Sequence, residues 1–225
     1  MASGEESSLI SVFRQPDTAW FSLLYSFTFG GFVGLTSFLT LFFHDRYHLQ
    51  KVRAADFTTL VVISGSFLRP VGGWLADRIG GYRLLLALLT GVGGLLFAIS
   101  SLPEFSVVVP LRFLSMGMLG MGNGAVFQLV PQRFSKHIGV ITGVVGAAGG
   151  LGGFLLPSVL GAIKDRTGSY GIGLLVFAGG FVIVSVVMLQ LGGTWSLSWD
   201  EAFARRAGVF SYRDLVRSLV TADET

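Results

Sequence analysis

The chain has 225 residues, of which 52% are hydrophobic and only 13% are charged. Because a soluble domain carries about 25% charged residues, this balance excludes an ordinary soluble protein and indicates a membrane protein. The net charge of +3 comes from basic residues spread over loops and tail, so it does not predict a nucleic-acid partner. The absence of cysteine excludes disulfides and thiolate chemistry.

Six apolar stretches each reach or nearly reach the roughly 20 residues that a membrane-spanning helix needs. In chain order they are Thr18–Phe43, Phe57–Ala76, Leu84–Leu102, Phe105–Val130, Ile138–Ile163 and Tyr170–Leu191. Lipid favours helices because their backbone groups are satisfied internally, and the stretches lack the alternation of barrel strands. We therefore predict an all-α membrane protein with a cytoplasmic N-terminal segment (1–17), a six-helix transmembrane bundle (18–191) and a cytoplasmic C-terminal tail (192–225).

The first span carries an aromatic pair, Tyr25 and Phe29, four residues apart and therefore on one face of a helix. Two interpretations remain open for this pair. The rings are packed into the bundle, or they form a surface against which a small planar ligand is held beside Arg69.

The second span contains Arg69, a charge deep within an otherwise uncharged stretch. Arg69 lies twelve positions after Phe57, which is about 18 Å along a helix, with about 10 Å left to Ala76. An arginine at the centre of a span costs about 2.5–3.5 kcal/mol on insertion scales. Either Arg69 extends towards the nearer membrane surface, or it is a fixed cation that binds an anionic ligand.

The pattern G-x-x-x-D-R-x-G occurs twice, from Gly73 to Gly80 and from Gly161 to Gly168, at a constant offset of 88 residues. Three spans separate the copies, so they fall on opposite membrane faces. This predicts a three-plus-three inverted repeat, a known plan of secondary transporters. In the first copy, glycine permits close helix packing and the charged pair can bind neighbouring helix ends. The predicted gating residues are Gly73, Asp77, Arg78, Gly80 and Arg83.

The fourth and fifth spans are rich in glycine. In the fifth, positions 139, 143, 146, 150 and 153 step by four and three, so they line one helical face that permits close helix packing in lipid. In the fourth, the buried amides of Asn123 and Gln128 need partners and can serve a polar ligand. Arg112 follows Pro110 near the outer end of this span, where we expect it to snorkel or to act as a vestibule charge.

No Asp or Glu lies inside any of the six spans, and all three histidines fall in loops. A proton relay through buried carboxylates is therefore not predicted, and a cation without a counter-charge should prefer anions. The sequence shows neither a nucleophile–base pair nor a metal-ligand cluster. We predict that the chain is not an enzyme and needs no metal or cofactor.

The distribution of Lys and Arg predicts that both termini are cytoplasmic. The cytoplasmic side would hold nine basic residues: Arg14, Arg78, Arg83, Arg133, Lys136, Arg205, Arg206, Arg213 and Arg217. The opposite side would hold five: Arg46, Lys51, Arg53, Lys164 and Arg166. In the tail, Ser198-x-x-Glu201 and Ser211-x-x-Asp214 resemble helix-start capping boxes.

Several segments together resemble the nitrate/nitrite porter family of the major facilitator superfamily. Gly120–Phe134 with Gly143–Pro157 is similar to its nitrate signature, and LLYSFTFGGFVGL and SFLRPVGGWLADRIGGYR are similar to its seventh and eighth helices. The resemblance implies that Arg69 is a substrate arginine and that Tyr25 and Phe29 line the pocket. It also implies that glycines of spans four and five shape the pocket, so the predicted substrate-binding residues are Arg69, Tyr25, Phe29, Asn123, Gly122, Gly124, Gly149 and Gly150.

The resemblance covers only the second half of a twelve-helix porter. It implies that a second arginine and a second glycine signature belong to a missing first half, supplied by another chain or a second copy. We therefore expect the C-terminal half of a nitrate or nitrite transporter in the cytoplasmic membrane, working by alternating access. The alternatives are a truncated or accessory six-helix protein that transports nothing alone, and a porter half for another small anion.

Overall fold

The computed structural model describes residues 12 and 14–209 and contains six helices long and apolar enough to cross a membrane. They are α1 (Pro16–Tyr47), α2 (Lys51–Ile79), α3 (Gly81–Ser100), α4 (Phe105–Arg133), α5 (Ile138–Thr167) and α6 (Tyr170–Ser198). The prediction of an all-α membrane fold is confirmed. The predicted apolar stretches are helical except at the end of the third, where α3 ends at Ser100 and Leu102 lies outside the helix. Most helices extend beyond their apolar stretch because the polar residues at the ends continue the same hydrogen-bonded turns.

Helix α1 contains one wide turn. Residues Ser26–Gly30 form a π-helix between the α-helical segments Pro16–Tyr25 and Gly31–Tyr47. Single π-helical turns inside α-helices are rare and frequently occur at functional sites. This turn contains Phe29 and directly follows Tyr25, so one member of the predicted aromatic pair lies in the irregular part of the helix and the other just before it.

Helices α2 and α4 pack backbone to backbone along a line of glycines. A Cβ added at Gly72 would overlap the Met121 carbonyl, and one added at Gly120 would overlap the Gly65 carbonyl. Small residues allow this close approach, and dispersion contacts then stabilise helix pairs in lipid. The packing fixes the position of Arg69, which lies on α2 between these two contacts.

The two ends of the bundle are each held by a buried or half-buried carboxylate. At the first, which we call the Asp17 end, Asp17 at the start of α1 accepts hydrogen bonds from Arg133 Nε at 2.6 Å and Trp195 Nε1 at 2.8 Å. At the opposite, Asp45 end, Asp45 accepts from Lys164 Nζ at 2.8 Å and from the Tyr170 hydroxyl. These contacts connect α1 to α4 and α6 at one end, and to α5 and α6 at the other.

The two copies of the repeat lie at opposite ends of the bundle, as the inverted-repeat prediction requires. Gly80 ends α2 at the Asp17 end with φ +92°, and Gly168 ends α5 at the Asp45 end with φ +70°. Both glycines adopt positive φ, which other residues rarely do. The shared pattern therefore marks the same local event, a helix end, in each half of the repeat.

The first helix of the C-terminal tail begins at a different residue from the predicted one. Helix α6 continues to Ser198 and is followed by the short helix α7 (Glu201–Ala207). The cap of α7 is Asp200, whose side chain accepts from the backbone N–H groups of Ala202 and Phe203. The predicted cap at Ser198 is wrong because Ser198 still belongs to α6. The second predicted cap, Ser211, lies outside the described residues.

Candidate anion site

The predicted aromatic pair forms a stacked surface. The rings of Tyr25 and Phe29 are parallel within 1°, with centroids 5.1 Å apart. The expectation that they share a face is confirmed. A third ring, Phe127 of α4, packs edge-on against Tyr25 at 4.7 Å. Phe127 was not predicted, since nothing in the local pattern distinguishes it from the other phenylalanines of the spans.

Arg69 lies next to this surface. Its guanidinium carbon is 5.4 Å from the centre of the Phe29 ring, a distance typical of a cation–π contact. Its Nε is buried and has no hydrogen-bond partner among the described residues. None of the ion pairs found within residues 14–209 involves Arg69. The side chain is thus a half-buried cation without a carboxylate to neutralise it, which is the arrangement an anion site needs.

Gly149 of α5 packs against the aromatic pair of α1. A Cβ at this position would collide with the Tyr25 ring and lie 3.1 Å from Phe29 Cδ1. Its neighbour Gly150 faces open space, with nothing within 4 Å of an added Cβ. Of the two predicted pocket glycines of α5, the structure brings Gly149 to the aromatic pair and directs Gly150 away from it.

Asn123 and Thr28 are buried polar groups without partners in the same part of the bundle. Asn123 is 1% exposed, and neither its Nδ2 nor its Oδ1 has a hydrogen-bond partner in the described part of the chain. Thr28 is equally buried, and its Oγ1 is likewise unpaired. Gly122, beside Asn123, packs on Thr28: a Cβ there would lie 2.9 Å from Thr28 Cγ2. Unpaired buried groups are uncommon, so each of these two side chains favours a polar ligand or water next to it.

Gly124 and Gly73 have a packing role. An added Cβ at Gly124 would overlap the Arg69 carbonyl and lie 2.6 Å from the Gly73 nitrogen. The two glycines hold α4 against the turn of α2 that carries Arg69. Gly124 was predicted as a pocket residue. It instead packs against the backbone of Arg69 and so fixes the position of that residue.

The remaining predicted gating residues gather at the Asp17 end. Asp77 accepts a hydrogen bond from Gln128 Nε2 at 2.9 Å, and the Arg78 guanidinium carbon lies 4.1 Å from the Trp74 ring centre. Arg83 Nε donates to the Gly208 carbonyl at 3.1 Å. Gly80 packs directly against Gly208. This group links α2, α3 and α4 to the segment that follows α7, a contact that the sequence pattern did not predict.

The expectation for Arg112 is wrong. It is 1% exposed, so it neither snorkels nor lines an open vestibule. Its guanidinium carbon lies 5.2 Å from the centre of the Phe42 ring of α1. The error arises because the end of α1 covers this turn of α4, a long-range contact that local sequence does not encode.

Comparison with known proteins identifies the family of the chain. Residues 2–157 match the family model described as Major Facilitator Superfamily. The chain is 39% identical over 166 residues to the probable nitrate/nitrite transporter NarK2 of Mycobacterium tuberculosis, covering 72% of this chain and 42% of that protein. It is 34% identical over 175 residues to the nitrite extrusion protein of Bacillus subtilis, covering 77% of this chain and 44% of that protein.

A solved structure shows the same fold. The crystal structure of tetrameric PepTSo2 matches with a TM-score of 0.63 at 17% identity, over 92% of this chain and 51% of that one. The chain thus spans about half the length of the proteins it matches. The predicted resemblance to nitrate/nitrite porters and the prediction that the chain is not an enzyme are confirmed, and the chain belongs to the major facilitator superfamily.

Proposed function

We propose that this chain forms the C-terminal half of a secondary transporter that moves nitrate or nitrite across the cytoplasmic membrane by alternating access. The observation that carries the proposal is Arg69, a half-buried cation with an unpaired Nε beside the Phe29 ring. The names of the relatives, which are nitrate/nitrite transporters and a nitrite extrusion protein, support the choice of substrate.

The chemistry of the site suits a small planar anion. A guanidinium is planar and presents paired N–H donors, which match two oxygens of a trigonal oxyanion. The parallel rings of Tyr25 and Phe29 offer a flat surface on which such an anion can lie. None of the carboxylates in the described part of the chain pairs with Arg69, and in a low-dielectric bundle the attraction of one cation for one anion is much stronger than in water.

The glycines and the buried amide complete the proposed pocket. Gly149 and Gly122 keep side-chain volume out of it, and Asn123 supplies hydrogen-bond donors and an acceptor. Gly124 positions the arginine, and Gly150 belongs to the side of α5 that faces a partner.

The missing half would pack on the open faces of α2 and α5. Gly139, Gly143, Gly146 and Gly150 have nothing within 4 Å of an added Cβ in this chain, and such glycine surfaces typically receive another helix in lipid. A separate chain or a second copy would supply this half. Rocking of the two halves would open Arg69 alternately to the two sides of the membrane. The gating residues would stabilise one of these two conformations; they are Gly73, Asp77, Arg78, Gly80 and Arg83.

The orientation of the unit follows from its basic residues. The Asp17 end, which carries Arg133, Lys136, Arg78 and Arg83, would face the cytoplasm. Both termini would then be cytoplasmic.

The proposal is tested by nitrate uptake into vesicles that contain this chain together with the first six helices of a full-length relative. Arg69→Lys keeps the charge but removes the planar pair of donors, so we expect uptake to fall at least tenfold. Arg53→Lys, an exposed position on the same helix, is the matched control and should transport like the unchanged chain. Equal uptake by the Arg69→Lys and unchanged chains would refute Arg69 as the substrate cation.

Two other functions remain as alternatives to the proposal. The match to only 42% and 44% of its relatives also fits a truncated or accessory protein that transports nothing. Absence of uptake from the combined halves, with both present in the membrane, would favour that alternative. Stronger competition by another small anion than by unlabelled nitrate would favour a different substrate.

A further inference from the structure

Arg112 is a second charged side chain buried in the bundle. It lies seven residues into α4, which is about 10 Å from the start of the helix at the Asp45 end. It is 1% exposed and is among the largest fully buried side chains of the described residues. The exposed fraction of Arg112 is therefore smaller than that of Arg69, which is half-buried.

All three nitrogens of the Arg112 guanidinium lack hydrogen-bond partners. Its Nε, Nη1 and Nη2 are each buried without an acceptor in the part of the chain that the structure describes. An arginine has five N–H donors and cannot lose its charge. A buried charge of this kind is strongly unfavourable unless something pairs with it.

The protein groups around Arg112 do not supply that partner. The Phe42 ring lies on it at 5.2 Å, and Tyr47, which packs edge-on against Phe42, uses its hydroxyl to bond the Pro103 carbonyl. The carboxylates at this end of the bundle are engaged or exposed. Asp45 accepts from Lys164 and Tyr170, and Asp56, Glu104 and Asp165 are exposed to solvent.

We propose that Arg112 is the centre of a second anion site, distinct from Arg69, that holds a small monovalent inorganic anion such as a halide. The ring of Phe42 covers the guanidinium, which leaves the N–H groups at its edge to bind the ion. One positive charge selects a single negative charge, and the near-complete enclosure selects a small ion. The site would neutralise the buried cation and stabilise the contact between α1 and α4.

This site goes beyond the proposed transport function and does not depend on it. Arg69 is half-buried and lies beside the open side of the bundle, as a transported ion requires. Arg112 is enclosed by residues of this chain alone. The anion at Arg112 would therefore remain bound while the anion at Arg69 is bound and released during transport.

Bromide provides a direct test, because its anomalous X-ray signal distinguishes it from water. Crystals of the full chain grown in bromide should show an anomalous peak in contact with the Arg112 nitrogens. An ordered peak there without anomalous signal would mean water, and an empty site at saturating bromide would mean no ligand. Either result would overturn the proposal.

A measurement in solution identifies the residue responsible. Exchange of gluconate for bromide at constant ionic strength should raise the unfolding midpoint of the unchanged chain by roughly 5 °C at saturation. Arg112→Met, which replaces the cation by an apolar chain of similar length, should remove most of that rise, and Arg53→Met, at an exposed position of α2, should retain it. The reverse pattern, or an equal rise in both variants, would refute the site. If Arg112→Met does not fold, the bromide peak of the unchanged chain decides the question alone.

Discussion

Tyr25 and Phe29 lie on either side of the start of a π-helical turn, with their rings parallel within 1° and 5.1 Å apart. A regular α-helix would place residues four apart on the same face without requiring parallel rings. The two rings stack in parallel planes at this wider turn, and Arg69 lies beside the ring of Phe29. This relationship gives the candidate site its shape, and the first prediction tests it.

Replacing Phe29 with leucine should weaken nitrate binding while preserving the fold. The change removes the ring over which the Arg69 guanidinium lies, a contact of about 0.5–2 kcal/mol, or roughly 2- to 30-fold in affinity. The measurement is the KM for nitrate in vesicles that contain the chain and a first half. Phe27→Leu is the control, since Phe27 belongs to the same turn but packs on Phe181 of α6. A larger KM increase for Phe27→Leu would contradict the assignment.

Adjacent glycines of α5 should respond oppositely to alanine. Gly149→Ala pushes a methyl group into the Tyr25 ring, and overpacking of this kind costs about 1–3 kcal/mol. The unfolding midpoint in detergent should therefore fall by about 2–10 °C. Gly150→Ala meets open space and gains helix propensity of up to about 1 kcal/mol, so its midpoint should stay constant or rise. Equal losses in the two variants would mean that α5 packs in a different register.

The carboxylates at the two ends of the bundle should contribute unequally to stability. Asp17 is 8% exposed and accepts from Arg133, Trp195 and Trp199. In Asp17→Asn one carboxylate oxygen becomes an NH2 group, which cannot accept from the donors that it faces, and the negative charge opposite Arg133 is lost. We therefore expect a loss of about 2–4 kcal/mol, below the full range for a buried pair because Arg133 is partly exposed. The measurement is thermal unfolding followed by tryptophan fluorescence.

The control for this prediction is Asp45→Asn at the opposite end. The side chains of Asp45 and Lys164 are 30% and 29% exposed. Partly exposed pairs contribute about 0–1 kcal/mol, so the midpoint should move little. A loss as large as that of Asp17→Asn would show that exposure does not determine the difference.

The two helix-ending glycines of the repeat should also differ. Gly168 is in the left-handed helical region, where alanine costs about 1–2 kcal/mol in backbone strain. Gly80, with φ +92° and ψ 128°, lies outside that region in a conformation that favours glycine more strongly. Only Gly80 packs against Gly208, and an added Cβ at Gly168 meets nothing within 4 Å. We expect the lower unfolding midpoint for Gly80→Ala. If Gly168→Ala is the less stable variant, the contact with Gly208 contributes nothing.

Local sequence was sufficient to predict the parts of this molecule that depend on local physics. The six helices follow from the length of the apolar stretches, and the stacking partners Tyr25 and Phe29 follow from their four-residue spacing. The repeated G-x-x-x-D-R-x-G pattern correctly predicted two helix ends on opposite faces. The lack of a carboxylate partner for Arg69 among the described residues agrees with the absence of Asp and Glu from the predicted spans.

Contacts between distant segments could not be predicted in this way. The partners of Asp17 lie 116 to 182 residues away along the chain. The burial of Arg112 depends on Phe42, and the different surroundings of Gly149 and Gly150 depend on how α5 is rotated against α1. The π-helical turn of Ser26–Gly30 has no recognisable sequence signal, although it sets the shape of the candidate site.

The hydrogen bonds at both extremities of the bundle have a mechanical consequence. With α1 tied to α4 and α6 at one extremity, and to α5 and α6 at the other, the helices resist sliding past one another. Such a unit is expected to tilt as a rigid body. Movement of this unit relative to neighbouring protein would then occur mainly at its boundary. There the glycines of α5 present no side chains that would hinder sliding.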